Sequence, residues 1–250
     1  KRQPEKAATI LRQKKDVDYF RQFNRKNVRP FPKQLIYFLA INPASELFKS
    51  KSNRLSVATM LDRKVVANII SEAECEPAFS FFETYNGSSK SIKLSPDAFD
   101  QTINIAYREN DQTARQIAER LVSRLSQSGI SKHALNSLSN AAFDSLRFSR
   151  NYEILIDAFC PIFSTPLYNL AQLIKNGYAV GSTIQKELNN ALSGNTKGTA
   201  ISIEKQLIEQ GILYPVAGVK TFAVIPSMVQ NLKLEGTSHI NFAKMWISAQ

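Results

Sequence analysis

Helix punctuation in the last ninety residues limits this chain's folding options more than any other local pattern. Thr165 is an N-cap candidate with Pro166 at the first helical position, and Asn176-Gly177 closes that segment. Ser182 with Gln185 reads as a capping box for a second helix that ends near Gly194. A third helix spans about Thr199 to Gln210 and stops at Gly211. Two apolar runs, 212–216 and 219–225, then flank Ala217-Gly218 as a hairpin would. A final short helix is expected around Phe242, Met245 and Trp246.

Upstream, the longest apolar run is Leu35–Ile41, which stops at Asn42-Pro43. It is too short to cross a bilayer and reads as a buried strand or the inner face of a core helix. Leu55, Val57, Met60, Leu61, Val65, Val66, Ile69 and Ile70 fit a helix packed on one broad face. Residues 78–85 are aromatic-rich, Asn86-Gly87 is a tight-turn pair, and Ser91–Leu94 would return antiparallel. Thr102–Tyr107 alternates as a third strand would, and 111–159 reads as helical with a break at Gly129. The expected class is therefore α+β and mostly helical, with a small antiparallel β-hairpin or sheet at about 78–107. The expected divisions are a basic arm over 1–30, a mainly helical domain over 31–160 and a C-terminal domain over 161–250.

Charge is the other strong signal. Residues 1–64 hold sixteen Lys/Arg against five Asp/Glu, and residues 65–250 hold sixteen of each, so the net charge of +11 belongs to the first quarter. Such a field selects polyanionic partners. Lys14, Lys15, Arg21, Arg25, Lys26 and Arg29 are the candidate phosphate contacts, interleaved with Tyr19, Phe20, Phe23 and Phe31.

Residues 165–226 resemble a winged-helix domain, most tellingly over Ile201–Leu213. That resemblance implies a recognition helix in the major groove, with Lys197, Thr199, Ser202 and Lys205 toward DNA and Lys220 on the wing. Leu121–Asn140 resembles a helix-turn-helix with Gly129 at the turn. It implies reading positions at Ser131, Lys132, His133, Asn136 and Ser137.

Enzyme signatures are missing. His133 and His239 are far apart, and there is no phosphate loop or nucleophile elbow. Glu72, Glu74 and Glu76 read as a solvated loop rather than a Mg²⁺ site. Cys75 and Cys160 lack the spacing of a metal knuckle or redox pair and read as reduced, buried thiols. No catalytic residue, metal or cofactor is expected. The expected function is a cytoplasmic, sequence-specific DNA-binding regulator of bacterial or mobile-element type. It would bind nucleic acid, DNA ahead of RNA, as a homo-oligomer and without a membrane. The alternatives are a plasmid or phage replication or partition factor, and an RNA or single-strand binding subunit of a ribonucleoprotein.

Overall fold

The computed structural model describes residues 9–24, 28–32, 34–70, 72–82, 99, 101–163, 165–194, 199–225, 229–230, 233–235, 239–241 and 246–247. Its frame is a six-stranded mixed sheet. In chain order the strands are β3 (Leu35–Ile41), β4 (Cys75–Pro77), β5 (Ile103–Arg108), β6 (His133–Leu138), β7 (Ile154–Phe159) and β8 (Leu213–Val219). Their spatial order is β4-β8-β3-β7-β5-β6. β3 runs antiparallel to both β7 and β8, whereas β5 runs parallel to both β6 and β7. The parallel strands are joined by helices α4 (Gln112–Gln127) and α5 (Asn140–Ser149), as crossover connections require.

The run 35–41 is a strand buried on both faces, which is why it is apolar throughout. Leu35, Tyr37, Leu39 and Ile41 enter the core on one face, and Ile36, Phe38 and Ala40 the core on the other. Helices α2 (Lys51–Ala58), α3 (Arg63–Ile69) and α4 lie on the first side. α5, α6 (Pro166–Lys175), α7 (Ser182–Leu192) and α8 (Ala200–Glu209) lie on the second.

A smaller sheet of order β1-β9-β2 joins Thr9–Leu11, Phe222–Val224 and Val28–Pro30. Helix α1 (Lys14–Asn24) packs on it through Val17, which joins a small core with Leu11, Val28, Phe222 and Val224. Among its described residues the basic arm expected over 1–30 is thus two short strands flanking one helix. Two further ribbons pair β10 (Val229–Gln230) with β13 (Trp246–Ile247) and β11 (Lys233–Glu235) with β12 (His239–Asn241). Trp246 is therefore in a strand, not a helix.

Several expectations are corrected here. The three C-terminal helices form where the punctuation places them, but Gly181, not Ser182, is the N-cap of α7. The strands after them are not a wing. β8 is a central strand of the large sheet, while β9 belongs to the small one. The strand expected over 212–216 runs on through Ala217-Gly218, where a turn is expected; Pro215 has no N–H for a ladder, and the register shift between Tyr37 and Phe38 takes it up as a bulge. The helix-turn-helix is also absent. Gly129, at φ 85°, ends α4, and the chain continues into β6. β5 lies parallel to its neighbours and does not extend a hairpin meander. Residues 83–98, which carry the Asn86-Gly87 turn, lie outside the described residues. The class is a mixed α/β fold rather than a mostly helical one with a winged-helix unit.

Candidate functional site

Parallel strands in an α/β sheet converge their carboxyl ends on one rim, and ligand crevices lie there. In this chain that rim holds Arg108, Leu138 and Phe159, the last residues of β5, β6 and β7. The corner between β1 and α1 overhangs it. Between them runs a groove of about 320 Å³ lined by Arg12, Gln13, Tyr37, Arg108, Asp111 and Asn140, among others.

One side of the rim is apolar and exposed. After Phe159 the chain turns through Cys160-Pro161-Ile162-Phe163 before α6 begins. Ile162 is 53% exposed, Phe163 43% and Tyr168, in the first turn of α6, 58%. Phe163 and Tyr168 stand 6.2 Å apart between ring centroids. Asn169, which is fully buried, holds this loop from both directions. Its Oδ1 accepts from the Phe163 N–H (2.8 Å) and its Nδ2 donates to the Phe163 carbonyl (2.7 Å). Phe82 adds an aromatic edge against Phe159 at 6.1 Å. Large apolar side chains held in the open at a strand-end rim mark a binding surface.

The other side of the rim is charged, with a cluster beneath it. Asp157 on β7 is 6% exposed. It accepts from Tyr178 Oη at 2.6 Å and from Arg147 Nη1 at 3.1 Å, and it lies 3.7 Å from Arg108 Nε. Asp144 ties Arg108 and Arg147 together at 2.8 and 2.7 Å. The Arg108 hydrogen bond holds the Asp144 carboxyl below its ordinary range, with the Arg147 charge adding to it. Arg108 also lies 4.2 Å from the Phe143 ring.

Tyr37 donates to Asp111, which caps α4 through the Ala114 N–H at 2.9 Å. Burial pushes the Asp111 carboxyl up, against these hydrogen bonds. The native state then holds a proton on Asp111 more tightly than the unfolded chain does. Stability from this group is present at low pH and falls as pH rises through its native pKa. Asp111→Asn, which can still cap the helix, should flatten that part of the pH–stability curve, on the side above the ordinary carboxylate range. Urea titrations at several pH values would read this, and an unchanged curve would refute it.

The structure scatters the cations expected to bind nucleic acid. Lys14 and Lys15 are exposed at the start of α1 near Asp18 and Glu72. Arg21 pairs with Glu74, and Lys220 with Glu76. The acidic run therefore neutralises part of the basic quarter and is not a free loop. The Lys220 and Gln34 hydrogen bonds lower the Glu76 carboxyl. Arg29 is exposed on β2 beside Ala223. Lys132 precedes β6, His133 Nε2 meets Ser126 Oγ at 2.9 Å, and Asn136 sits in β6 opposite Ala106. Lys205 pairs with Glu209 at 3.8 Å along α8. Arg25, Lys26 and Lys197 lie outside the described residues. Among the described residues Lys14, Arg21 and Lys220 gather along the acidic run 72–76, whereas Lys132, His133 and Asn136 lie at β6 and Lys205 on α8. Among the described residues no His/Cys/Asp/Glu group could hold a metal ion. The residues that build the rim, Asp157, Asn169 and Phe163, carry no motif; the exposed Ile162-Phe163 ahead of a Pro-started helix was their single sequence signal.

No family model and no curated protein matches the sequence. Solved structures do. NikA from Brucella suis, in complex with Fe(III)-EDTA, superposes with a TM-score of 0.72 at 14% identity, over 96% of this chain and 57% of that one. Haemophilus influenzae OppA, in complex with the peptide RPPGFSPFR, gives 0.67 at 14%, over 95% and 54%. MppA, a periplasmic murein tripeptide binding protein in its unliganded open form, gives 0.66 at 15%, over 88% and 49%. The chain spans about half the length of these structures. This is a likeness of fold, and it overturns the winged-helix reading together with the DNA-binding regulator and nucleic-acid partner built on it. The cytoplasmic expectation also gives way, since the matched proteins include ones described as periplasmic. Three of the matched structures are described as binding proteins or a receptor.

Proposed function

We propose that this chain is part of a non-catalytic solute-binding protein that holds a peptide-like ligand on the strand-end rim, outside the cytoplasm and in the service of an ABC transporter. The supporting observation is the placement of Ile162, Phe163 and Tyr168, exposed and fixed by Asn169, at the rim of a fold shared with OppA and MppA over most of this chain. Apolar side chains of the ligand rest on that patch, and its charged groups meet Arg12, Arg108 and Asp111 in the groove. Burial pushes the Cys75 thiol up to about 12, which keeps it protonated at neutral pH.

The test is thermal unfolding against pools of short peptides, followed by calorimetry on the best binder. A peptide should raise Tm, and the double variant Phe163→Ala/Tyr168→Ala should weaken its binding by roughly a hundredfold, the loss of two aromatic anchors. If no peptide shifts Tm, or if the double variant binds as well as the original, the reading fails.

A further inference from the structure

We propose that a cavity at the opposite end of the sheet is a second ligand site, taking a free α-amino acid with its carboxylate on Arg150 and its ammonium on Glu153. The cavity measures about 490 Å³ and lies at the amino ends of β5 and β7, away from the rim. This inference does not depend on the rim binding anything.

Where α4, α6, α7 and α8 finish, a glycine takes the positive φ that closes the last turn: Gly129, Gly177, Gly194 and Gly211. α5 finishes differently. Arg150 takes that conformation (φ 56°, ψ 24°), and among the described residues it is the one non-glycine to do so. Glycine occupies this region freely and a branched-off side chain does not. A local rule kept four times and broken once at the mouth of a cavity points to a side chain wanted for itself.

The backbone there is fixed. Buried Asn42 donates through Nδ2 to the carbonyls of Arg150 (2.9 Å) and Tyr152 (2.8 Å), while its Oδ1 accepts from the Ala44 N–H (2.9 Å). The Arg150 guanidinium is exposed and has no hydrogen bond or ion pair among the described residues. Among the described residues Glu153 is bonded through Oε2 alone, accepting from Asn104 N (2.6 Å) and Nδ2 (2.9 Å). Its Oε1 is left for a ligand. Asn136, on the β6 side, offers an amide, and Leu146 and Ile154 supply apolar wall.

One cation and one anion line the cavity. A zwitterion satisfies both, whereas a dicarboxylate or a diamine leaves one charge unmatched. A guanidinium receives a carboxylate by paired hydrogen bonds, and a carboxylate accepts an ammonium.

The experiment titrates each of the common L-amino acids, one at a time up to 10 mM, into the protein by heteronuclear NMR. At least one should shift resonances of residues 42–45, 104, 136 and 150–154. Arg150→Gly should weaken that binding by roughly tenfold or more, the loss of a charge-assisted contact, and at the same time raise Tm by relieving the helix end. The N-acetylated form of the same amino acid should bind more weakly to the original protein, and Glu153→Gln should remove that difference. The proposal falls if no amino acid shifts these residues. It also falls if Arg150→Gly binds as well as the original, or if Arg108→Ala rather than Arg150→Gly abolishes binding, which would put the amino acid on the rim.

Discussion

Asp157→Ala should cost about 3 kcal/mol of folding stability, the lower end for a broken buried pair, because it takes from Arg147 its buried counter-charge and leaves only the more exposed Asp144. Tyr178 Oη, Arg147 Nη1 and the Ala158 N–H donate to this carboxylate, and Arg108 Nε lies 3.7 Å away; both Asp157 and Arg147 have little access to water, so solvent cannot replace the lost partner. Tyr178 loses its acceptor in the same step, and Arg147 Nε is already without one. For a chain of this length the loss corresponds to a fall in Tm on the order of 10 °C. Asp157→Asn keeps the shape and one acceptor oxygen and should cost less. Thermal unfolding followed by circular dichroism separates the two. A change of less than about 2 °C for the alanine variant would mean that the cluster adds little, because a kcal/mol moves Tm by roughly that much.

Glu204→Ala is the second large effect. Glu204 is completely buried on α8, in the helix that the winged-helix reading assigned to DNA. Its carboxylate accepts from Ser80 Oγ at 2.8 Å and from the Phe81 N–H at 2.5 Å. Those bonds set Phe81 against Phe38 and Phe159, at centroid distances of 5.2 and 6.0 Å. Losing the acceptor leaves two donors buried, each worth about 1–3 kcal/mol, so the variant should lose about 2–5 kcal/mol. Glu204→Gln retains an acceptor and should recover part of it. Chemical denaturation gives both values. Because segment 79–82 leads to the apolar side of the rim, peptide binding should weaken alongside stability. Equal stability in Glu204→Ala would show that water reaches this site.

Whatever depends on neighbours in sequence was legible. The glycines and caps placed α6, α7 and α8, and the apolar run bounded by Asn42-Pro43 read as a buried strand or the inner face of a core helix, of which the first holds. The rest depends on pairing across the chain. β6 escaped because Ile130, Leu135 and Leu138 also fit a helical spacing, and only the partner strand β5 decides between the two. β8 reads locally as one arm of a hairpin because Ala217-Gly218 looks like a turn, and only its pairing with β3 and β4 shows a central strand running through those residues. The charge reading failed for a physical reason too: Arg21 and Lys220 are spent on Glu74 and Glu76, residues far from them in sequence. Asp157 and Asn169 are single polar residues in apolar stretches, and nothing nearby announces what they hold.

The order β4-β8-β3-β7-β5-β6 has a consequence for how the molecule is made. β3 ends at residue 41, yet one of its two ladder partners starts at residue 154 and the other at residue 213. During synthesis its seven apolar residues therefore emerge long before either flank exists to cover them. Closure over such separations is slow, and an exposed strand invites wrong pairings meanwhile. The centre of this sheet is completed last, so a ribosome-bound chain stopped short of β8 would leave one edge of β3 open to the solvent and to chaperones.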